Sequence, residues 1–481
     1  MALRRLSILD SAFLLMERRH LPFHVGGLML FRPPPDAPPD FATQLAERLR
    51  QSTQAAAPFN RRLVSHLGVK FWEEDRNFDL AHHFVHLALP KPGRIRELLA
   101  MVSRVHSAHL DRAYPLWRTY LVEGLEDGRI AVFSKVHHSL VDGVAALRVL
   151  MKTMSADRQE SLTMPPPWEM KARRTSDVPL PVPAIGVGSV AALSALLRGG
   201  GKSIPAVARQ LQRSWHDYRS KNPDLITGFS APRCLLNQKV SGSRRFAARS
   251  YATARIKGVG QAFNATSNDV VLAMCGGALR CYLEALNGLP ECALIAGVPV
   301  SMRSDDSDSG NQVFFALTSL ATHLAEPAAR LRAVKASMDY NKQRMSEMSV
   351  SELVAYSSAM YVPGALNMVT GLVDRRHTLL NVVISHVPGP RTPMYWQGCE
   401  LTGLYPASIA IDEAALNITL VSRHDFVDFG ITACRKTVPN VQDLLDYLEQ
   451  ALQELEAAAE YRHPTDLTAG IPHRCSEPLR N

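Results

Sequence analysis

The chain has 481 residues, 46% of them hydrophobic, and its 54 Lys and Arg against 45 Asp and Glu give a formal net charge of +9 at pH 7. That length carries a prior of about three domains, with two larger ones fitting equally well, and the apolar content is ample for packed cores. The positive charge falls in scattered pairs, Arg18-Arg19, Arg61-Arg62, Arg173-Arg174, Arg244-Arg245 and Arg375-Arg376, without aromatic interleaving or a nucleic-acid motif; this speaks against nucleic acid and for a solvated surface or attraction to anionic headgroups. The 7 cysteines are an odd count without zinc or redox spacing and read as reduced cytosolic thiols, Cys275 and Cys281 as core fillers in a helix. No signal peptide is legible at Met1-Ala2-Leu3-Arg4-Arg5, and the apolar stretch from Pro179 to Leu197 holds too many prolines and glycines for a membrane span.

Residues 1–155 alternate strand-like and helix-like segments. Ser7 with Asp10 predicts a capping box and a short helix over Ala12 to Met16; Ile130 to Val136 alternates as a half-buried strand, and Val144 to Met151 reads as a buried helix. From 156 to 243 the character changes. Met164-Pro165-Pro166-Pro167, the Pro-Val-Pro run, Arg198-Gly199-Gly200-Gly201 and one helix near Ala206 to Tyr218 predict a long, partly ordered connection. A second domain follows over 244–460, with a tail at 461–481. In it, Thr266 and Asp269 predict a capped helix running to Leu286, and strands are expected at Ala293 to Val300, Phe314 to Leu320, Leu379 to Val387, Leu416 to Ser422 and Phe429 to Ala433. Asn440 then caps a final helix from Val441 to about Ala457. Strands and helices mixed in both halves predict a two-domain α/β sandwich.

The chemistry concentrates in Lys135-Val136-His137-His138-Ser139-Leu140-Val141-Asp142-Gly143, where the predicted strand ends. Neighbouring residues of a strand face opposite sides, so His137 and His138 cannot both enter one cavity: parity groups His138 with Val132 and Val136, and His137 with Phe133 and Lys135. An imidazole, with an unperturbed pKa of about 6.5, suits proton abstraction near neutrality, and hydroxyl deprotonation is its natural task. Ser139 lacks a Gly-x-Ser-x-Gly elbow and does not read as a nucleophile. Asp142 is placed to fix an imidazole tautomer or to brace the turn through a distant arginine, and Gly143 to allow a backbone angle or approach that a Cβ would block. Without His-Glu-x-x-His or Cys-x-x-Cys, no metal is expected. The pair His82-His83 lacks the following Asp-Gly and serves as an internal control. Asn268 and Asp269, in the first turn of a capped helix, could bind an anion or polarise a carbonyl, or merely cap it.

His-His-x-x-x-Asp-Gly resembles the signature of the coenzyme A-dependent acyltransferase superfamily, and the chain from about Leu6 to Ala457 is similar to the bacterial wax ester synthase/diacylglycerol acyltransferase family. Five further segments carry that likeness: Leu6-Ser7-Ile8-Leu9-Asp10 with His24-Val25-Gly26-Gly27; Tyr114-Pro115-Leu116-Trp117; Ala265 to Val271; Val298-Pro299-Val300-Ser301-Met302-Arg303; and Val387-Pro388-Gly389-Pro390. His386 departs from an Asn frequent in the family. The resemblance implies two related domains with a channel between them. His138 would deprotonate an alcohol that attacks the thioester of an acyl-coenzyme A; His137 would support it; Asp142 would hold the turn, with Arg303 as candidate partner. Asn268 and Asp269 would support the site, and Pro115, Leu116 and Trp117 would lie near the acyl pocket, Trp117 as its lining or as a buried structural residue. Acyl-coenzyme A is then a substrate and no cofactor is implied; the acceptor is diacylglycerol or a long-chain alcohol, met in the cytoplasm or at a membrane or lipid inclusion that the protein touches peripherally. A carrier-protein-dependent relative and a non-catalytic lipid-binding or inclusion-coating protein are the alternatives, and the intact motif disfavours the last.

Overall fold

The computed structural model describes residues 3–6, 8–141, 143–171, 230–302, 312–348 and 377–461, with isolated positions at 212, 219, 226, 352 and 353. Asp142, Arg303 and the helix expected near 206–218 therefore lie outside the described residues. In chain order the first half contributes β1 (Arg4–Arg5), α1 (Ile8–Met16), β2 (His24–Arg32), α2 (Phe41–Arg50), β3 (Arg61–His66), β4 (Val69–Glu74), α3 (Leu80–His83), β5 (Phe84–Ala88), α4 (Ile95–Ser107), β6 (Trp117–Glu123), β7 (Ile130–His137), α5 (Gly143–Lys152) and α6 (Arg158–Ser161). The second contributes β8 (Ala231–Pro232), β9 (Arg244–Ala252), α7 (Thr253–Phe263), α8 (Ser267–Ala285), β10 (Ile295–Met302), β11 (Gln312–Ser319), α9 (Pro327–Ser346), β12 (His377–Thr378), β13 (Val382–Pro388), β14 (Tyr395–Trp396), β15 (Cys399–Ala407), β16 (Leu416–Arg423), β17 (Phe426–Cys434) and α10 (Asp443–Glu460).

Twelve of these strands form two six-stranded sheets, β14-β15-β2-β7-β6-β5 and β11-β10-β13-β16-β17-β9, beside a three-stranded sheet β1-β4-β3 and the pair β12-β8. Strand β7 is apolar on both sides, and each side meets its own core. Ile130, Val132 and Val136 join the cluster that packs against α5, whereas Ala131 and Phe133 join Leu98, Leu99 and Val102 of α4. The α4 stripe of Leu98, Leu99, Val102, Ser103 and His106 follows the helical period and turns one face inward. Helix α8 realises its predicted capping box and is buried along most of its length.

A contiguous division of the chain into 1–155 and 244–460 does not match the sheets, because β14 and β15 leave the second half and extend the first sheet beside β2. Without β15, β2 would present an unpaired edge. This strand escaped the sequence reading because Gly403 and Pro406 demote it; Pro406 is tolerated because β14 pairs only with the first two residues of β15, leaving the rest open on that side. The start of the expected linker is also structural: Ser155 bridges Tyr395, and Trp168 is buried. Helix α1 begins at Ile8, four residues before the expected Ala12, and α10 runs from Asp443 to Glu460.

The sheets are locked at one seam. The buried Asp428 carboxylate accepts from Leu404 N–H of β15 at 2.8 Å, from Arg423 Nε at 2.9 Å and from Ser250 Oγ at 2.6 Å, and Arg423 Nη2 donates to Thr402 O at 2.9 Å. Nearby, a Cβ on Gly430 would stand 1.9 Å from Pro406 O, so only glycine permits the two strands to approach. Farther along β9 the α4 hydroxyls Ser103 and Ser107 accept from Phe246 and Arg244 N–H at 2.9 and 2.8 Å, satisfying an otherwise open edge. Asp428→Ala would strand a buried guanidinium and a buried N–H. It should cost about 3–5 kcal/mol, seen as a lower urea midpoint in chemical denaturation.

Candidate active site

Strands β2, β6 and β7 place the paired histidines. His137 is paired with His24 across β2, its N–H donates to Leu116 O at 2.9 Å, and the next N–H, of His138, donates to Phe23 O at 2.9 Å. The chain then turns, with Leu140 N–H returning to His137 O at 2.9 Å. Both backbones are thus fixed from either side, and Leu116 serves through its carbonyl while its side chain is buried.

The two rings differ as parity requires. His137 is 1% exposed; its Nδ1 accepts from Ser139 N–H at 3.1 Å and lies 2.7 Å from Ser139 Oγ, which leaves the ring proton on Nε2. Nε2 faces Glu17 Oε1 at 3.6 Å. His138 is half-buried, with its ring 4.6 Å from that of Phe13. One histidine is clamped and the other remains reachable.

Glu17 is the buried carboxylate beside the histidines that sequence reasoning missed. Its Oε2 accepts from Arg112 Nη2 at 2.7 Å and Nε at 3.1 Å; its Oε1 accepts from Phe23 N–H at 3.3 Å and lies 3.3 Å from His109 Nδ1. Burial alone would raise its pKa, but His137 and Arg112, with the Phe23 N–H, outweigh this and hold it at about 2. A signal existed: a carboxylate directly after an apolar helix sits at the negative end of the dipole, where it needs compensation.

On the face of β7 shared with Val136, a cavity of about 150 Å³ lies between the first sheet and α5, closed from the second sheet by Thr419 and Val421. Val136, Val141 and Gly143, on both sides of the histidines, line it. Apolar walls of this kind keep a space dry and suited to hydrocarbon. Trp117 both lines the cavity and is buried, as the two readings of it allowed: Nε1–H donates to Phe59 O at 2.8 Å, and the ring stacks on His83 at 4.5 Å and Trp168 at 5.8 Å. Pro115 is buried and its carbonyl accepts from Trp117 N–H at 2.8 Å.

Several expectations need correction. A Cβ on Gly143 would meet nothing within 4 Å, so its lack of a side chain relieves no clash; instead it leaves the cavity open at the start of α5. Asp269 is fully buried and committed to the helix cap: Oδ2 accepts from Thr266 N–H at 2.9 Å and Oγ1 at 2.7 Å, and Oδ1 faces Lys342 Nζ at 3.9 Å. Neither it nor the half-buried Asn268 is among the described residues that line the cavity. The control pair is structural. His83 is paired with Trp117 O at 2.9 Å and burial pushes it down to about 4, while His82 stacks on Tyr114. His386, where the family often has Asn, meets Ser422 Oγ through Nε2 at 2.7 Å, and burial pushes it to about 4. Cys275 is buried, which pushes its thiol to about 12, as a core filler requires.

With this geometry in place, comparison with known proteins is informative. The family model for the wax ester synthase/diacylglycerol acyltransferase catalytic domain matches residues 6–271, and that for the WS/DGAT C-terminal domain matches residues 309–456. The protein belongs to the wax ester synthase/diacylglycerol acyltransferase family. It is 43% identical over 455 residues to the O-acyltransferase WSD of Acinetobacter baylyi, covering 94% of this chain and 97% of that one. A Mycobacterium tuberculosis relative named as a diacylglycerol O-acyltransferase is 42% identical, with 94% and 99% covered. The solved wax ester synthase/diacylglycerol acyltransferase from Marinobacter aquaeolei VT8 superposes with a TM-score of 0.79 at 43% identity, covering 95% of this chain and all of that one. A starter condensation domain of rhizomide synthetase shares the fold at 12% identity and a TM-score of 0.57. Among the described residues no helix is long and apolar enough to cross a membrane.

The Glu17 assignment carries a pH signature. A carboxyl held near 2 against an ordinary 4.5 contributes stability that is full above about pH 4.5 and is lost as pH falls toward 2. The urea midpoint of Glu17→Gln should lie below wild type at pH 7, and the gap should narrow steadily from pH 4.5 downward; a constant gap would show that Glu17 matters by shape alone.

Proposed function

We propose that the protein transfers a long-chain acyl group from acyl-coenzyme A to the hydroxyl of diacylglycerol or a long-chain alcohol, forming triacylglycerol or wax ester. The observation that carries this reading is the division of labour between adjacent histidines beside a dry apolar cavity: His137 is clamped by Ser139 and Glu17, and His138 stays half-exposed at the strand end. Family membership and relatives named as O-acyltransferases support it.

In this reading His138 accepts the proton of the acceptor hydroxyl as its oxygen attacks the thioester carbonyl. The tetrahedral oxyanion collapses, the C–S bond breaks, and the imidazolium returns the proton to the departing coenzyme A sulfur. An oxygen ester replaces a less stable thioester, so the exchange runs downhill without a cofactor. His137 and Glu17 act as positioning residues: the charge beneath His137 fixes its tautomer, and the fixed His137 fixes the turn from which His138 projects.

A general base is worth roughly 10²–10⁴-fold in rate. His138→Ala should therefore lower acceptor-dependent thiol release from palmitoyl-coenzyme A, with hexadecanol or diacylglycerol, by that factor while the fold stays intact. Release that is unaffected would overturn His138 as base. We further propose that the protein works in the cytoplasm and touches anionic membranes or lipid inclusions peripherally, supported by its net charge of +9. Vesicles with anionic lipid should sediment it at low salt and release it at high salt; indifference to anionic lipid would remove this.

A further inference from the structure

Beyond the main cavity, the same groove continues. Side chains on one face of a strand recur every second residue, so the cavity can be followed along each wall. On β7 the main cavity is lined by Val136 and Ser134, and a second, smaller cavity of about 10 Å³ by Val132. On β2 the order is Val25 and Gly27, then Met29 and Phe31, and on α5 it is Leu147, then Met154 just past the helix end. The two spaces follow one another along the same gap between sheet and helix. From Val136 to Val132 it extends roughly 13 Å along the strand.

Four residues line both spaces: Thr119, Leu150, Pro167 and Trp168. Thr119 and Leu150 belong to the walls themselves, in β6 and α5. Trp168 enters from the side, in the short Pro167–Glu169 turn, and is 1% exposed. Its indole is fixed: Nε1–H donates to Ser52 O at 2.9 Å, its carbonyl accepts from Ala56 N–H at 2.8 Å, and its ring stacks on Trp117 and lies 5.5 Å from Phe84. A wide, rigid ring across an apolar channel makes a stop.

We propose that Trp168 is the end wall of the substrate alkyl-chain groove and limits the chain length the enzyme accepts. This rests on the acyltransferase reading above. The groove fits hydrocarbon, which either the acyl donor or the alcohol acceptor brings. Gly27 offers the opposite manipulation: it lies between the motif and the wall, paired with Ser134, and a Cβ added there meets nothing within 4 Å. A valine at this position fills the groove without disturbing the strand.

The test uses the purified full-length protein. kcat/KM is measured for octanoyl- to eicosanoyl-coenzyme A with hexadecanol, and for octanol to eicosanol with palmitoyl-coenzyme A, in wild type, Trp168→Ala, Trp168→Leu and Gly27→Val. Each methylene newly buried is worth about fourfold. The Trp168 variants should raise the ratio of longest to middle chain by about tenfold or more in one series, and Gly27→Val should lower it in that same series; the series that moves identifies which substrate lies in the groove. Uniform loss across all lengths in folded Trp168 variants, or a Gly27→Val profile that keeps the wild-type optimum in both series, would overturn the proposal. If the Trp168 variants fail to fold, the Gly27→Val profile decides. Wild type inactive at every length would instead remove the transfer reading and the groove's role with it.

Discussion

Glu17 is ionised inside the protein because Arg112 and His137 face it and Phe23 N–H donates to it; burial alone would drive a proton onto it. The relation is reciprocal. His137 Nδ1 is occupied by Ser139, so its Nε2 proton points at the Glu17 carboxylate. A buried imidazole and a buried carboxylate fix each other's state, directly before the turn that carries His138.

The same constraint explains the interleaved sheets. The cavity needs a roof as well as walls, and Thr419 and Val421 of β16 supply it. A roof from another sheet must hold its distance, and β15 enforces this by belonging to the first sheet while its backbone is hydrogen-bonded to Asp428 of the second. Asp428 satisfies three donors from three segments, so sliding one sheet past the other would leave a buried carboxylate and a buried guanidinium unpaired.

How much was legible in the sequence depended on the range of the forces involved. The strand expected over Ile130 to Val136, the capping box at Thr266 and the separation of the two histidines follow from local periodicity and hydrogen bonding, and the structure reproduces them, the strand running one residue further to His137. Strand β15 was invisible because its Gly403 and Pro406 violate local strand preference, while its pairing partner β2 lies far away in sequence. Glu17 was only half legible: its place directly after an apolar helix marks a carboxylate that needs compensation, but the partners that supply it, His137, His109 and Arg112, lie about a hundred residues away. Asp269 shows a different limit: a helix cap and an anion site look alike in sequence, and in the structure its Oδ2 accepts from Thr266 while Oδ1 faces Lys342 Nζ at 3.9 Å.

Strand β7 joins these observations, because its two faces do different work. On one, Phe133 packs on α4, Lys135 Nζ donates to Val105 O and Ala108 O at the end of that helix, and His137 meets Glu17; burial lowers Lys135 to about 7, and those carbonyls supply the acceptors it needs. The charged groups there are turned toward the helix carbonyls and the carboxylate, as an interior demands. On the other face, Val132, Ser134 and Val136 border empty apolar space. A single strand thus separates the machinery that holds the site still from the surface that is left unfilled, and the one-residue step from His137 to His138 crosses that boundary. Shifting the register by one residue would exchange the faces, turning the His137 ring toward the side of Val136 and away from the carboxylate, which is why neighbours on both sides, Leu116 and Phe23, pin this end of the strand.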